Sequence, residues 1–66
     1  MSTAKTIEIT ASSTKGFEDA IKTGVEKASE SLQNITGAWV MDQGVKVSND
    51  VVSEYTVRMK ITFVLK

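Results

Sequence analysis

The chemistry open to this chain is narrow, because the side chains that most often carry catalysis are missing. Its 66 residues include no Cys and no His. Thiolate nucleophiles, zinc sites, imidazole acid–base catalysis and Ser-His triads are therefore excluded. No Walker loop, Gly-rich dinucleotide turn or EF-hand loop occurs in the sequence. Carboxylates, amides and one indole remain. Asp42, Glu8 and Glu54 could meet across subunits and hold a hard cation through oxygen ligands. The alternative is that they form surface ion pairs with Lys46, Arg58 or Lys60. Surface carboxylates are commonly solvated, so a non-enzymatic role is expected. Trp39 is the only tryptophan. Its broad flat ring could be a stacking platform for a planar ligand, or it could pack in a core or a subunit interface. Gln43 falls in the apolar row of Trp39, Met41, Val45 and Val47. Either a bulge near Gly44 re-aims it, or its amide reaches a ligand or a neighbouring subunit.

The elements that would position these residues are legible from periodicity. Ile7, Ile9 and Ala11 alternate with Thr6, Glu8 and Thr10, the period-2 pattern of a half-buried strand from Lys5 to Ala11. Ser12-Ser13-Thr14 offers hydroxyls that can accept from the free N–H groups of a helix's first turn, near Glu18 and Asp19, whose charge suits that end. Phe17, Ala20, Ile21, Val25, Ala28 and Leu32 trace one stripe of a helix ending near Gln33 or Asn34, about five turns long. Gly24 lies on the same stripe and costs about 1 kcal/mol against Ala there, which suggests close approach of another backbone. A second strand is expected from Ala38 to Val47, and Ser48-Asn49-Asp50 is a turn signal. In the third strand Tyr55, Val57, Met59, Ile61, Phe63 and Leu65 fall on one face and Glu54, Thr56, Arg58, Lys60 and Thr62 on the other. The last two strands then form an antiparallel hairpin. The fold class is α+β: a β-α-β-β unit, one domain over residues 1–66, with a three-stranded antiparallel sheet packed on one amphipathic helix.

One helix covers only one face of such a sheet. The uncovered face carries Thr6, Glu8, Thr10, Val40, Thr56, Arg58 and Lys60 and is flanked by open edges that can template pairing with another chain. A chain this short has a thin core, and without Cys or His its remaining usual stabiliser is self-association. A homo-oligomer is expected. Eight basic and eight acidic residues cancel, so the basic excess of a nucleic-acid binder is absent. No apolar run is long enough to cross a membrane. Met1 to Lys5 lacks the apolar stretch of a secretory leader, and a cytoplasmic location is expected.

The order of the elements and several strings resemble the dodecins. They are Ile7-Glu8-Ile9-Thr10-Ala11-Ser12-Ser13, the helix start near Gly16-Phe17, Ala28 to Leu32 leading into Asn34-Ile35, and Val40-Met41-Asp42-Gln43-Gly44-Val45. Tyr55-Thr56-Val57 and Ile61-Thr62-Phe63-Val64-Leu65 complete the likeness, which spans nearly the whole chain. The resemblance implies a hollow, spherical homododecamer that binds and stores or buffers a flavin (riboflavin, FMN or FAD) and quenches its photochemistry. In the family's flavin binders a tryptophan at the start of the second strand stacks on the isoalloxazine, and a glutamine early in the third strand hydrogen-bonds to it. This sequence has Gly37 and Thr56 at those two positions. Trp39 lies two residues on, on the same nominal face as Gly37. Trp39, Gln43, Thr56 and Gly37 are thus the candidate ligand contacts. The alternative is a shell of the same fold that binds a cation or another small molecule and no flavin.

Overall fold

The computed structural model describes residues 3–66. Four elements follow in order: β1 (Thr3–Ser13), α1 (Phe17–Ala28), β2 (Ile35–Ser48) and β3 (Val51–Leu65). They form a three-stranded sheet in the order β1-β3-β2, antiparallel throughout. The strand with the cleanest alternation, β3, is the central one. Both of its edges are paired, so a regular two-faced pattern is most useful there.

The hairpin between β2 and β3 closes through Asn49 and Asp50, both at positive φ (52° and 63°). This is the backbone of a type I′ turn, whose twist matches that of the flanking strands and which Asn and Asp tolerate. At the other end of β2, Asn34 is also left-handed (φ 62°). Its carbonyl accepts from the Val64 N–H at 3.0 Å, which ties the start of β2 to the end of β3.

The helix is shorter than its apolar stripe suggests, ending at Ala28 rather than near Gln33 or Asn34. Beyond it the Glu30 and Ser31 N–H groups bond three residues back, to the Lys27 and Ala28 carbonyls. The chain tightens into turns through Leu32 before the left-handed Asn34 redirects it. The N-terminal cap also differs from expectation. Gly16 is the cap residue and no side chain bonds the first turn there. Ser13 instead braces the connection: its Oγ accepts from the Lys15 N–H (2.9 Å) and donates to Asp19 Oδ2 (2.6 Å).

The helix lies over β1 and β3. Ala20, Val57 and Met59 form the buried centre, with Ile9, Ala11, Phe17, Ile21 and Val25 packed around them. Ile61 is buried as well, whereas Phe63, in the same row, is only half-buried in the subunit. Phe17 meets Tyr55 edge-to-face, with centroids 5.1 Å apart and planes at 79°. Gly24 is buried, and the close approach is to side chains: a Cβ built there would stand 2.8 Å from both Ala11 Cβ and Met59 Cε. Alanine at position 24 would add about 1 kcal/mol of helix propensity but would overpack a fitted contact at a cost of about 1–3 kcal/mol. Gly24→Ala is expected to lower the melting temperature by several degrees, measurable by thermal circular dichroism. An unchanged or raised midpoint would show that the helix can shift without penalty.

A helix of 12 residues spans about 18 Å, while strands of 14 and 15 residues reach nearly 50 Å. The hairpin therefore runs far past the helix, and the molecule measures 51 Å along its longest axis. This overhang leaves Val45, Val47, Val51 and Val52 exposed, Val51 at 66% and Val47 at 59%.

Candidate functional site

Residues opposite one another on paired strands share a face of the sheet. On the face away from the helix, β1 and β3 build a grid of polar side chains. Thr6 pairs with Thr62, Glu8 with Lys60, Thr10 with Arg58 and Ser12 with Thr56. Hydroxyl–hydroxyl bonds of 2.9 Å close the two outer rows, Thr6 to Thr62 and Ser12 to Thr56. The Thr56 hydroxyl therefore already has a partner and can offer a ligand only its remaining capacity.

The third column comes from β2, and three register shifts decide what it contains. They fall between Ile35 and Gly37, between Val40 and Asp42, and between Lys46 and Val47. A bulge inserts one unpaired residue and exchanges the faces of everything beyond it. Before the shift at Met41, Trp39 pairs with Lys60 and Val40 with Met59. After it, Asp42 pairs with Arg58, Gln43 with Val57 and Gly44 with Thr56. The expected row of Trp39, Met41, Gln43, Val45 and Val47 is thus divided. Trp39 joins the polar face, while Gln43 and Val45, paired with Val57 and Tyr55, turn to the helix side. The bulge lies before Gln43 rather than near Gly44, and it displaces Trp39 rather than the amide. Val40, expected on the polar face, pairs with buried Met59 and faces the helix side.

Of the four candidate contacts, Gly37, Trp39 and Thr56 are brought to one face, and Gln43 is not. Gly37 and Trp39 are in intimate contact. The six-membered ring of Trp39 reaches back over Gly37, and a Cβ added at Gly37 would lie 2.9 Å from the indole Cη2 and 3.1 Å from Cζ3. Glycine is required there for the ring to lie as it does. The indole remains 60% exposed, and Lys60 is its cross-strand neighbour. Among the described residues, no carboxylate lies within ion-pair distance of Lys60.

Next to this pair the polar face holds a charged clamp. Arg58 donates from Nε to Asp42 Oδ1 at 2.9 Å and from Nη2 to Asp42 Oδ2. This two-pronged geometry matches a guanidinium to a carboxylate. The hydrogen bond from Arg58 holds the Asp42 carboxyl below the usual carboxylate range, and Asp42 raises the Arg58 guanidinium in turn. Of the ion pairs open to Asp42, the one with Arg58 forms. Its bidentate geometry was not legible in the sequence, because the bulge that brings the two into register carries no local signature. A shallow open depression of about 630 Å³ lies over this region, lined among others by Thr10, Asp42, Gly44, Thr56 and Arg58. Gln43 also borders it, at the sheet edge; Trp39 and Gly37 lie outside it. Among the described residues, no group of three or more acidic side chains gathers in a way that could hold a metal ion within one subunit. No helix is long and apolar enough to cross a membrane.

Over residues 3–66 the chain matches the family model described as Dodecin. Its fold superposes on a dodecin from Streptomyces davaonensis with a TM-score of 0.95 at 26% identity, covering 98% of this chain and 96% of that one. The dodecin of Streptomyces coelicolor gives 0.95 at 23% identity, over 98% and 93% of the two chains. A Thermus thermophilus dodecin carrying one arginine-to-alanine substitution gives 0.94 at 24%, over 100% and 98%. No curated protein sequence matches the chain significantly.

Proposed function

The chain belongs to the dodecin family, and from that membership we propose that it assembles into a homododecamer that binds and stores a flavin of the riboflavin or FMN type, without catalysis. Trp39 is the stacking platform. The observation that carries this reading is the position of its ring. Gly37 stands where the family's flavin binders have their tryptophan, and the Trp39 indole, entering from two residues further along the same face, lies over Gly37. The aromatic surface is thereby returned close to the expected place while most of it stays open. Lys60 beside the ring and Thr62 opposite Gly37 supply polar atoms at its margin.

The shape of the subunit supports assembly. Trp39 is largely exposed in one subunit, so a ligand stacked on it becomes enclosed only when a second copy closes over it. The overhanging hairpin exposes valines that a single subunit has no means to cover. Such contiguous apolar surface commonly marks an interface.

Light scattering of the purified protein is expected to give a mass of twelve times the 7.2 kDa subunit. Titration with riboflavin and with FMN is expected to quench the fluorescence of Trp39, the single indole. A stable folded monomer at micromolar concentration would overturn the assembly. An intact dodecamer that neither carries the yellow absorbance of oxidised flavin nor quenches on titration would overturn the ligand, and would favour a shell of the same fold with a different occupant.

A further inference from the structure

The register of the β2–β3 hairpin contains two compensating irregularities. The turn at Asn49-Asp50 sets Ser48 against Val51 and Val47 against Val52. Continued without interruption, that register would place Lys46 against Ser53, Gln43 against Thr56, Asp42 against Val57 and Val40 against Met59. The last of these pairs is the one observed. Between the two ends the ladder is displaced by one residue. Ser53 is skipped on β3, where Lys46 pairs with Glu54, and Met41 is skipped on β2, where Asp42 pairs with Arg58. Residues 42–46 and 54–58 thus form a window whose register differs by one from that of the strands on either side.

Two bulges interrupt the ladder at two places, so something in the window must favour the displaced register. Only there does Asp42 oppose Arg58, with both prongs of the guanidinium engaged. In the uninterrupted register Met41 would oppose Arg58, and Asp42 would turn to the helix side beside buried Val57. We infer that the Asp42–Arg58 pair is a register lock: it holds the window one residue out of step, and so decides which side chains of β2 accompany Trp39 on the ligand-facing side. With the lock closed, Gly44 lies opposite Thr56 and Gln43 faces away. With it open, Gln43 would oppose Thr56 and place its carboxamide on the polar face. Both residues are positioning residues, acting through the strand. The consequence for ligand recognition rests on the flavin reading, whereas the register itself does not, so either can fail alone.

The absence of native cysteine makes the register directly testable by disulfide trapping, because a disulfide requires Cα atoms about 4.4–6.8 Å apart with Cβ vectors on the same face. Gly44→Cys with Thr56→Cys reports the displaced register, and Gln43→Cys with Thr56→Cys reports the uninterrupted one. Intrachain bonds are scored by peptide mapping after mild oxidation. In the otherwise native chain the first pair is expected to oxidise in preference. Arg58→Met and, separately, Asp42→Val are each expected to move the ratio toward the second pair by roughly tenfold, the change that about 1.4 kcal/mol produces. Lys60→Met, which removes a neighbouring cation from the same face, is expected to leave the ratio unchanged. A ratio unmoved by Arg58→Met and by Asp42→Val would overturn the lock. Should either single variant fail to fold, the exchanged pair Asp42→Arg with Arg58→Asp decides the matter. Restoration of the native ratio supports the lock, and the uninterrupted register in that background overturns it.

Discussion

Met59→Ala is expected to abolish the folded subunit at physiological temperature. Met59 is fully buried at the middle of the central strand. It lies between Ile9 on β1 and Val40 on β2, and its terminal methyl packs toward Gly24 of the helix. A buried methionine truncated to alanine costs about 2–5 kcal/mol in lost burial and residual cavity. A typical domain has only about 5–15 kcal/mol in total, and a 66-residue chain sits at the low end because it buries a smaller share of its surface. Ile61→Ala is expected to behave alike, since Ile61 is equally buried. Phe63→Ala is expected to cost less within the subunit, because its ring is only half covered there. Lys60→Ala, on the polar face, is expected to stay well under 1 kcal/mol. Thermal melts of the four variants check the ranking. If Lys60→Ala and Met59→Ala melted together, the face assignment of β3 would be wrong.

Trp39→Ala is expected to weaken flavin binding by roughly 1–3 kcal/mol, the range measured when an aromatic platform is removed from a stacked base. That corresponds to a loss of about 5- to 150-fold. The subunit fold should survive, since Trp39 is largely exposed within one subunit. The oligomer mass is measured first, by light scattering, so that lost assembly is not read as lost stacking. An intact assembly with unchanged affinity would exclude Trp39 as the platform. Gly37→Ala is a complementary test that leaves the indole in place but obstructs its position. An added methyl would collide with the ring at 2.9 Å, and the ring is expected to swing outward. A change in both the Trp39 emission and the flavin affinity would follow if the ring's position over Gly37 matters for binding.

The elements of this chain were legible because their determinants are local. The alternation along β3 from Tyr55 to Leu65, the alternation of Ile7, Ile9 and Ala11, and the helical stripe from Phe17 to Ala28 each depend on residues a few positions apart. Backbone geometry alone converts those spacings into faces. The Asn49-Asp50 turn was readable for the same reason. These signals were enough for the β-α-β-β order and the central core row, while the likeness to the dodecins came from that order together with strings such as Asp42-Gln43-Gly44. The helix was read five or six residues too long because Leu32 continues the stripe, while the tightening of the chain beyond Ala28 and the left-handed Asn34 depend on where β2 must begin.

The second strand was only half legible. Which of its residues is left out of the ladder is settled across strands, by what β3 places opposite each one. Trp39, Met41, Gln43, Val45 and Val47 look like one row because each is two residues from the next. The bulge at Met41 breaks that row, and no local spacing records a bulge whose cause lies 16 residues away in Arg58. The sequence, read with its likeness to the dodecins, therefore pointed to a lone indole, a glycine two residues before it, Gln43 and a threonine on the next strand as the residues to watch. Only the tertiary structure decided that the indole folds back onto that glycine, on the polar face. There Arg58 meets Asp42 and Gln43 is turned away, because face assignment in a sheet reverses with a single residue of register.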